Sequence, residues 1–182
     1  AIGGMGAGDV AIMAGRPGMG KTAVALAIGF GIASPPEQIH MDLEDHQPPK
    51  RKGVFMTSLE MGKEALLERG LSMRAYQRGA KITYHSIRIS KVKDDGMDAL
   101  AAVLTSDAKV PFIIDQRRGQ TIGQIGVRAR RARARMARDG VPLGLLIIDH
   151  LGLIEPDRRQ ASGNRVSELT EITKDLKKLA GS

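Results

Sequence analysis

Apolar residues in this chain fall into short continuous runs, and between the runs they recur at helical spacing. Asp9–Ala14 (DVAIMA), Gly53–Ser58 (GVFMTS), Val110–Asp115 (VPFIID) and Leu143–Asp149 (LGLLIID) have the length and composition of buried strands. Lys21–Ile32, Lys63–Arg78 and Gly96–Ser106 read as helices, while Ile87–Ser90 is too short to assign. Ile122, Ile125, Ala129, Ala132 and Met136 recur every three or four residues, as do Val166, Leu169, Ile172, Leu176 and Leu179, which predicts two amphipathic helices. Ser34–Lys52 breaks the pattern with Pro35-Pro36 and Pro48-Pro49; proline removes backbone donors and disfavours helix before it, so a long exposed loop is expected. Arg158–Asn164 is a second polar loop. Strands alternating with helices imply βαβ units and a parallel sheet covered on both faces. The expectation is one α/β domain over residues 1–182, with 34–52 as an insertion.

Composition narrows this little. The length of 182 residues suits one core, and with 3% aromatics and no Trp that core has to be aliphatic. No Cys is present, so disulfides and thiolate metal sites are excluded and a reducing cytoplasm is the natural setting. No apolar run reaches the roughly 20 residues of a membrane-spanning helix, and no membrane association is expected. His40, Asp42, Glu44, Asp45 and His46 crowd the Pro-rich loop, but nothing rigid holds them for coordination, so they are not read as a metal site.

Charge changes the picture more. The formal net charge is +8, and it comes from one block: Arg117, Arg118, Arg128, Arg130, Arg131, Arg133, Arg135 and Arg138, with no acid between Gln116 and Arg138. Arg128, Arg131, Arg135 and Arg138 share one helix face. Such a face can meet nucleic acid, a neighbouring subunit or solvent.

The strongest chemical signal is Gly15-Arg16-Pro17-Gly18-Met19-Gly20-Lys21-Thr22, a full G-x-x-x-x-G-K-[ST] placed between an expected strand and an expected helix. Its glycines let backbone N–H groups turn towards phosphate oxygens. Lys21 supplies a cation for the β- and γ-phosphates, and Thr22 a hydroxyl for Mg²⁺. The helix that follows adds its positive end beneath the anion. ATP and Mg²⁺ are the ligands this chemistry calls for. Asp149 closes the most apolar strand, where a carboxylate suits Mg²⁺ better than it suits a core, although strand-ending Asp residues also cap turns. Glu60, in Ser58-Leu59-Glu60-Met61, lies just past another strand and can serve as general base for a water; the alternative is a surface or helix-capping Glu.

GRPGMGKT, TSLEM, LIIDHLGLI and NRVSELTEITKDLKKLA, in this order, resemble the successive motifs of DnaB-type replicative DNA helicases. The resemblance implies a RecA-like P-loop NTPase, three-layer αβα with a mainly parallel sheet. It implies that Lys21 and Thr22 bind nucleotide and Mg²⁺, that Glu60 is the catalytic base and that Asp149 is the Walker B acid. It also implies that the loop Asp157–Arg165 holds single-stranded DNA in the channel of a hexameric homo-oligomer. Arg158, Arg159, Gly163, Asn164 and Arg165 are its candidate contacts, and primase or loader proteins are further partners. The family usually carries Tyr-Leu-Gln after the Walker B acid, where this chain has His150-Leu151-Gly152. The likeness runs out after Leu179-Ala180, before the family's γ-phosphate-sensing Gln and arginine finger. The domain is therefore expected to be incomplete at the C-terminus and to turn over little ATP by itself. The implied function is ATP hydrolysis driving movement on single-stranded DNA and duplex unwinding during replication. Two rivals stay open: a RecA or recombinase-type ATPase without processive unwinding, and a nucleotide-switch ring component or loader, against which Glu60 argues.

Overall fold

The computed structural model describes residues 4–34, 50–157 and 164–181. Most of the expected Pro-rich loop, with its His and acidic residues, lies outside them. The described elements are α1 (Lys21–Ala33), β1 (Gly53–Ser58), α2 (Lys63–Gln77), α3 (Tyr84–Arg88), α4 (Asp94–Asp107), β2 (Phe112–Asp115), α5 (Ile122–Arg138), β3 (Leu143–Asp149), a 3₁₀ turn (Leu151–Leu153) and α6 (Arg165–Ala180).

The three strands form a parallel sheet in the order β2-β1-β3. β1 is central and every one of its residues is buried, Thr57 and Ser58 included, as expected for a strand covered on both faces. Side chains alternate between the faces. Met56, Ile114 and Ile147 meet Leu26 of α1 and Leu66 of α2. Phe55, Ile113 and Leu146 meet Ala129 and Ala132 of α5. Farther along that second face, Leu59, Ile122, Ile125, Ile154 and Ile172 join α5 to α6. The result is the expected αβα sandwich.

α5 bears out its periodicity in detail. Thr121 and Gln124 form a reciprocal capping box at its start, and Ile122, Ile125, Ala129, Ala132 and Met136 are buried. Arg131, Arg135 and Arg138 point outward, while Arg128 is half-buried with its guanidinium 3.4 Å from the Asp115 carboxylate.

One expectation fails, and one element was not foreseen. Asp9–Ala14 forms no strand: it joins no ladder, and Val10, Ile12 and Met13 are 38%, 62% and 47% exposed. Only two of its six residues are β-branched, and glycines flank it at Gly6, Gly8 and Gly15, so its own preference for strand is weak. Gly8 instead accepts a hydrogen bond from Lys177 of α6 (2.8 Å). Conversely, α3 is a single helical turn that leaves no period to read; its one local signal is Thr83, whose hydroxyl accepts the Ser86 N–H.

A partly buried ion pair staples α2 to the end of α4. Arg74 donates to both carboxylate oxygens of Asp107 (2.7 and 2.9 Å), and Arg78 adds a third contact at 3.1 Å. Burial alone pushes the Asp107 carboxyl up, but hydrogen bonds and charge from Arg74 and Arg78 outweigh it and hold the group below its usual range. A carboxylate depressed in the folded state contributes stability that is complete above the unfolded value, about pH 4, and is lost as pH falls through the lowered folded value. Asp107→Ala takes the carboxylate from Arg74 and leaves it only neutral partners, Ser34 Oγ (3.1 Å) and Gln77 Oε1 (3.2 Å), in a site where both side chains are at most 15% exposed. It is expected to lower unfolding stability by about 2–3 kcal/mol at neutral pH, and by progressively less in acid, in paired urea titrations.

Candidate nucleotide site

The site lies at the carboxyl ends of β1 and β3, where an open parallel sheet presents its loops. Register sets its geometry. Ser58 of β1 is paired with Asp149 of β3, and the next residue, Leu59, donates its N–H to the Asp149 carbonyl (2.7 Å). Glu60 and His150 are therefore each the first residue past a shared backbone hydrogen bond. The Ser58 hydroxyl accepts the Met61 N–H (3.1 Å) and donates to its carbonyl (2.9 Å), closing the turn that carries Glu60 outward. Arg118 reaches the Glu60 carbonyl from the other side (3.4 Å).

The P-loop, Gly15 to Gly20, stands clear of the core, with Gly15 to Met19 all exposed. Gly18 and Gly20 have φ of 80° and 82°, the left-handed region that side chains resist, which is the physical reason for glycine at both places. Gly20 is also the residue before α1, and no side chain caps that helix. The first N–H groups of α1 are thereby left for an anion, reinforced by the helix dipole. Lys21 spans the loop, its ammonium donating to the carbonyls of Gly15 (2.7 Å) and Arg16 (3.0 Å).

Thr22 donates its hydroxyl to Asp149 Oδ2 (2.8 Å), joining the P-loop helix to β3 across the sheet's end. Asp149 is 7% exposed and is the only residue of β3 that is fully buried. No cationic side chain among the described residues lies within ion-pair distance of it. A buried carboxylate beside a hydroxyl, without a protein cation, fits a hard divalent ion that takes one or two protein oxygens and keeps several waters. Thr22 and Asp149 fit Mg²⁺ on that ground.

The structure thus brings together Gly15 to Thr22, Glu60 and Asp149. Of the DNA-loop candidates, Arg158, Arg159 and Gly163 lie outside the described residues. Asn164 caps α6 by accepting the Val166 N–H (3.0 Å). Arg165 spends its guanidinium on the carbonyls of Gly152 (2.7 Å) and Ile154 (3.4 Å) and on Glu168 (3.2 Å). Sequence reasoning overlooked Gln120, buried at 2% exposure, which donates to the Thr57 hydroxyl (3.2 Å) and the Arg117 carbonyl (2.6 Å) behind the Glu60 turn. It also gave His150 no role, although His150 Nε2 lies 3.6 Å from Glu60 Oε2. The departure from Tyr-Leu-Gln was the available signal.

Comparison with known proteins agrees with this geometry. The family model described as the DnaB-like helicase C terminal domain matches residues 1–182. Similar relatives include the replicative DNA helicase DnaB of Rickettsia prowazekii, 34% identical over 94% of this chain and 32% of that protein. DnaB of a Nostoc species is likewise 34% identical, over 94% of this chain and 17% of its own length. The chain thus spans about a third or less of these relatives. Among solved structures, a DnaB-like replicative helicase studied with its primase interactions superposes with a TM-score of 0.69 at 24% identity, over 91% of this chain and 34% of that one. A second solved structure, of an ATPase domain, gives 0.68 at 24% identity, over 91% of this chain and 50% of that one. These superpositions establish the RecA-like αβα fold, and the sequence match establishes that the chain belongs to the DnaB-like helicase C-terminal domain family.

Proposed function

We propose that this chain is the motor domain of a replicative DNA helicase, hydrolysing Mg-ATP to move along single-stranded DNA. The observation that carries the reading is the hydrogen bond from Thr22 to the buried Asp149, which brings a P-loop hydroxyl and a strand-end carboxylate together as a pair suited to Mg²⁺. The P-loop backbone and Lys21 bind the phosphates. Bound Mg²⁺ neutralises phosphate charge. Glu60 orients and deprotonates the attacking water. Further parts of the proposal are a cytoplasmic hexameric ring of identical subunits, with primase or a loader as partner; the matched helicase structure was studied with primase.

The DNA contact is assigned to Asp157–Arg165. Each Arg–phosphate contact contributes about 0.7 to the salt slope of single-strand binding. Replacing Arg158, Arg159 and Arg165 together in the full natural protein is expected to flatten a plot of log affinity against log salt by about 2 units. Arg158 and Arg159 account for most of the change, because Arg165 must first release its carbonyl partners. An unchanged slope moves the DNA path to the Arg128, Arg131, Arg135 and Arg138 face of α5.

A further inference from the structure

His150 and Gly152 stand where the family usually carries Tyr and Gln, and the structure makes the two departures parts of one arrangement. The imidazole lies over Gly152, whose N–H donates to His150 Nδ1 (3.2 Å). A Cβ on residue 152 would sit 3.0 Å from His150 Cε1 and 3.1 Å from Nδ1, closer than such contacts normally come. A side chain at residue 152 therefore displaces the ring by a few tenths of an ångström, and glycine leaves it where it is. Because Nδ1 accepts, the neutral ring carries its proton on Nε2. Nε2 is the atom that faces Glu60 Oε2 at 3.6 Å. That separation is longer than a formed hydrogen bond, as catalytic contacts often are before substrate binds.

We propose that His150 is a positioning residue for Glu60: its neutral imidazole, held in the Nε2–H tautomer by the Gly152 N–H, donates to the Glu60 carboxylate and fixes it for the attacking water. The backbone supports the pairing, since Leu59 N–H bonds the Asp149 carbonyl and so holds the two following residues side by side. Glu60 needs such support because its side chain is 61% exposed, and little packing restricts its rotamers. Arg165 steadies the same turn by donating to the Gly152 carbonyl (2.7 Å). The proposal rests on Glu60 being the general base, and its test separates the two ideas.

The ATPase of the full natural protein is compared with His150→Phe, which keeps the ring without a donor, and His150→Gln, which keeps a donor without the ring. Loss of a hydrogen bond to a charged group predicts a fall in kcat of about tenfold for His150→Phe, with nucleotide affinity unchanged. His150→Gln is expected to retain most of the rate, and Gly152→Ala to behave like His150→Phe. Full activity in His150→Phe overturns the proposal, as does a greater loss in His150→Gln than in His150→Phe, the order a packing role gives. A second readout needs no turnover: imidazole ¹⁵N shifts of this chain at mildly alkaline pH, with the His150 resonance assigned from its loss in His150→Phe. Protonation at Nε2 supports the arrangement, and protonation at Nδ1 contradicts it. Wild-type turnover in Glu60→Gln removes the base assignment itself, whereas a slow Glu60→Gln beside a fully active His150→Phe removes only the role of His150.

Discussion

Lys21→Ala is expected to abolish ATP binding, weakening affinity by at least about 100-fold, the worth of losing two hydrogen bonds to charged groups. The ammonium is the only cationic side chain that the described structure places across the P-loop, where it touches the Gly15 and Arg16 carbonyls. Those carbonyls belong to exposed residues, so they turn to water at little cost when the ammonium is removed, and thermal unfolding should hardly move. Binding and stability thus separate at this position. Titration with a fluorescent ATP analogue, beside a melting curve, measures both, and retained affinity removes Lys21 from the phosphate site.

Glu60→Gln is expected to do the reverse at the chemical step, with nucleotide bound as in the parent and hydrolysis slowed by about 10²–10⁴-fold, the usual contribution of a general base. The substitution keeps the side chain's size and leaves the turn below it intact, because Ser58 and Met61 hold that turn through the backbone and the Ser58 hydroxyl. Among the described residues the Glu60 carboxylate approaches only His150, so no fold-level loss accompanies the change. Single-turnover hydrolysis with saturating nucleotide isolates the step. Equal loss of binding in Lys21→Ala and Glu60→Gln contradicts the role given to Glu60.

The centre of the sheet was legible because β1 is buried on both faces: Gly53–Ser58 opens on four apolar or small residues, its two hydroxyl residues Thr57 and Ser58 come only at the site end, and all six are buried. α5 was legible for the opposite reason, since its apolar and Arg positions separate cleanly around the helix. The segment Asp9–Ala14 misled because apolarity alone predicts a buried strand, whereas this segment is exposed and joins no ladder. β3 is the same lesson in milder form. It is the most apolar run of the chain, yet it lies at the edge of the described sheet and is nowhere fully buried except at Asp149. For the candidate site, the glycine and Lys-Thr spacing picked out the P-loop, and places at or just past strand ends picked out Asp149 and Glu60, which the structure sets at neighbouring strand ends. His150 escaped because its role depends on a tautomer set by the Gly152 backbone N–H. Gln120 escaped because it acts by hydrogen-bonding behind the Glu60 turn, which no spacing rule encodes.

The central claim is tested most directly by the ATPase rate of the full natural protein in Mg²⁺, with and without single-stranded DNA. The account predicts hydrolysis that rises when single-stranded DNA is added and that Glu60→Gln suppresses while nucleotide stays bound. Nucleotide binding without turnover, or turnover indifferent both to DNA and to Glu60, contradicts it.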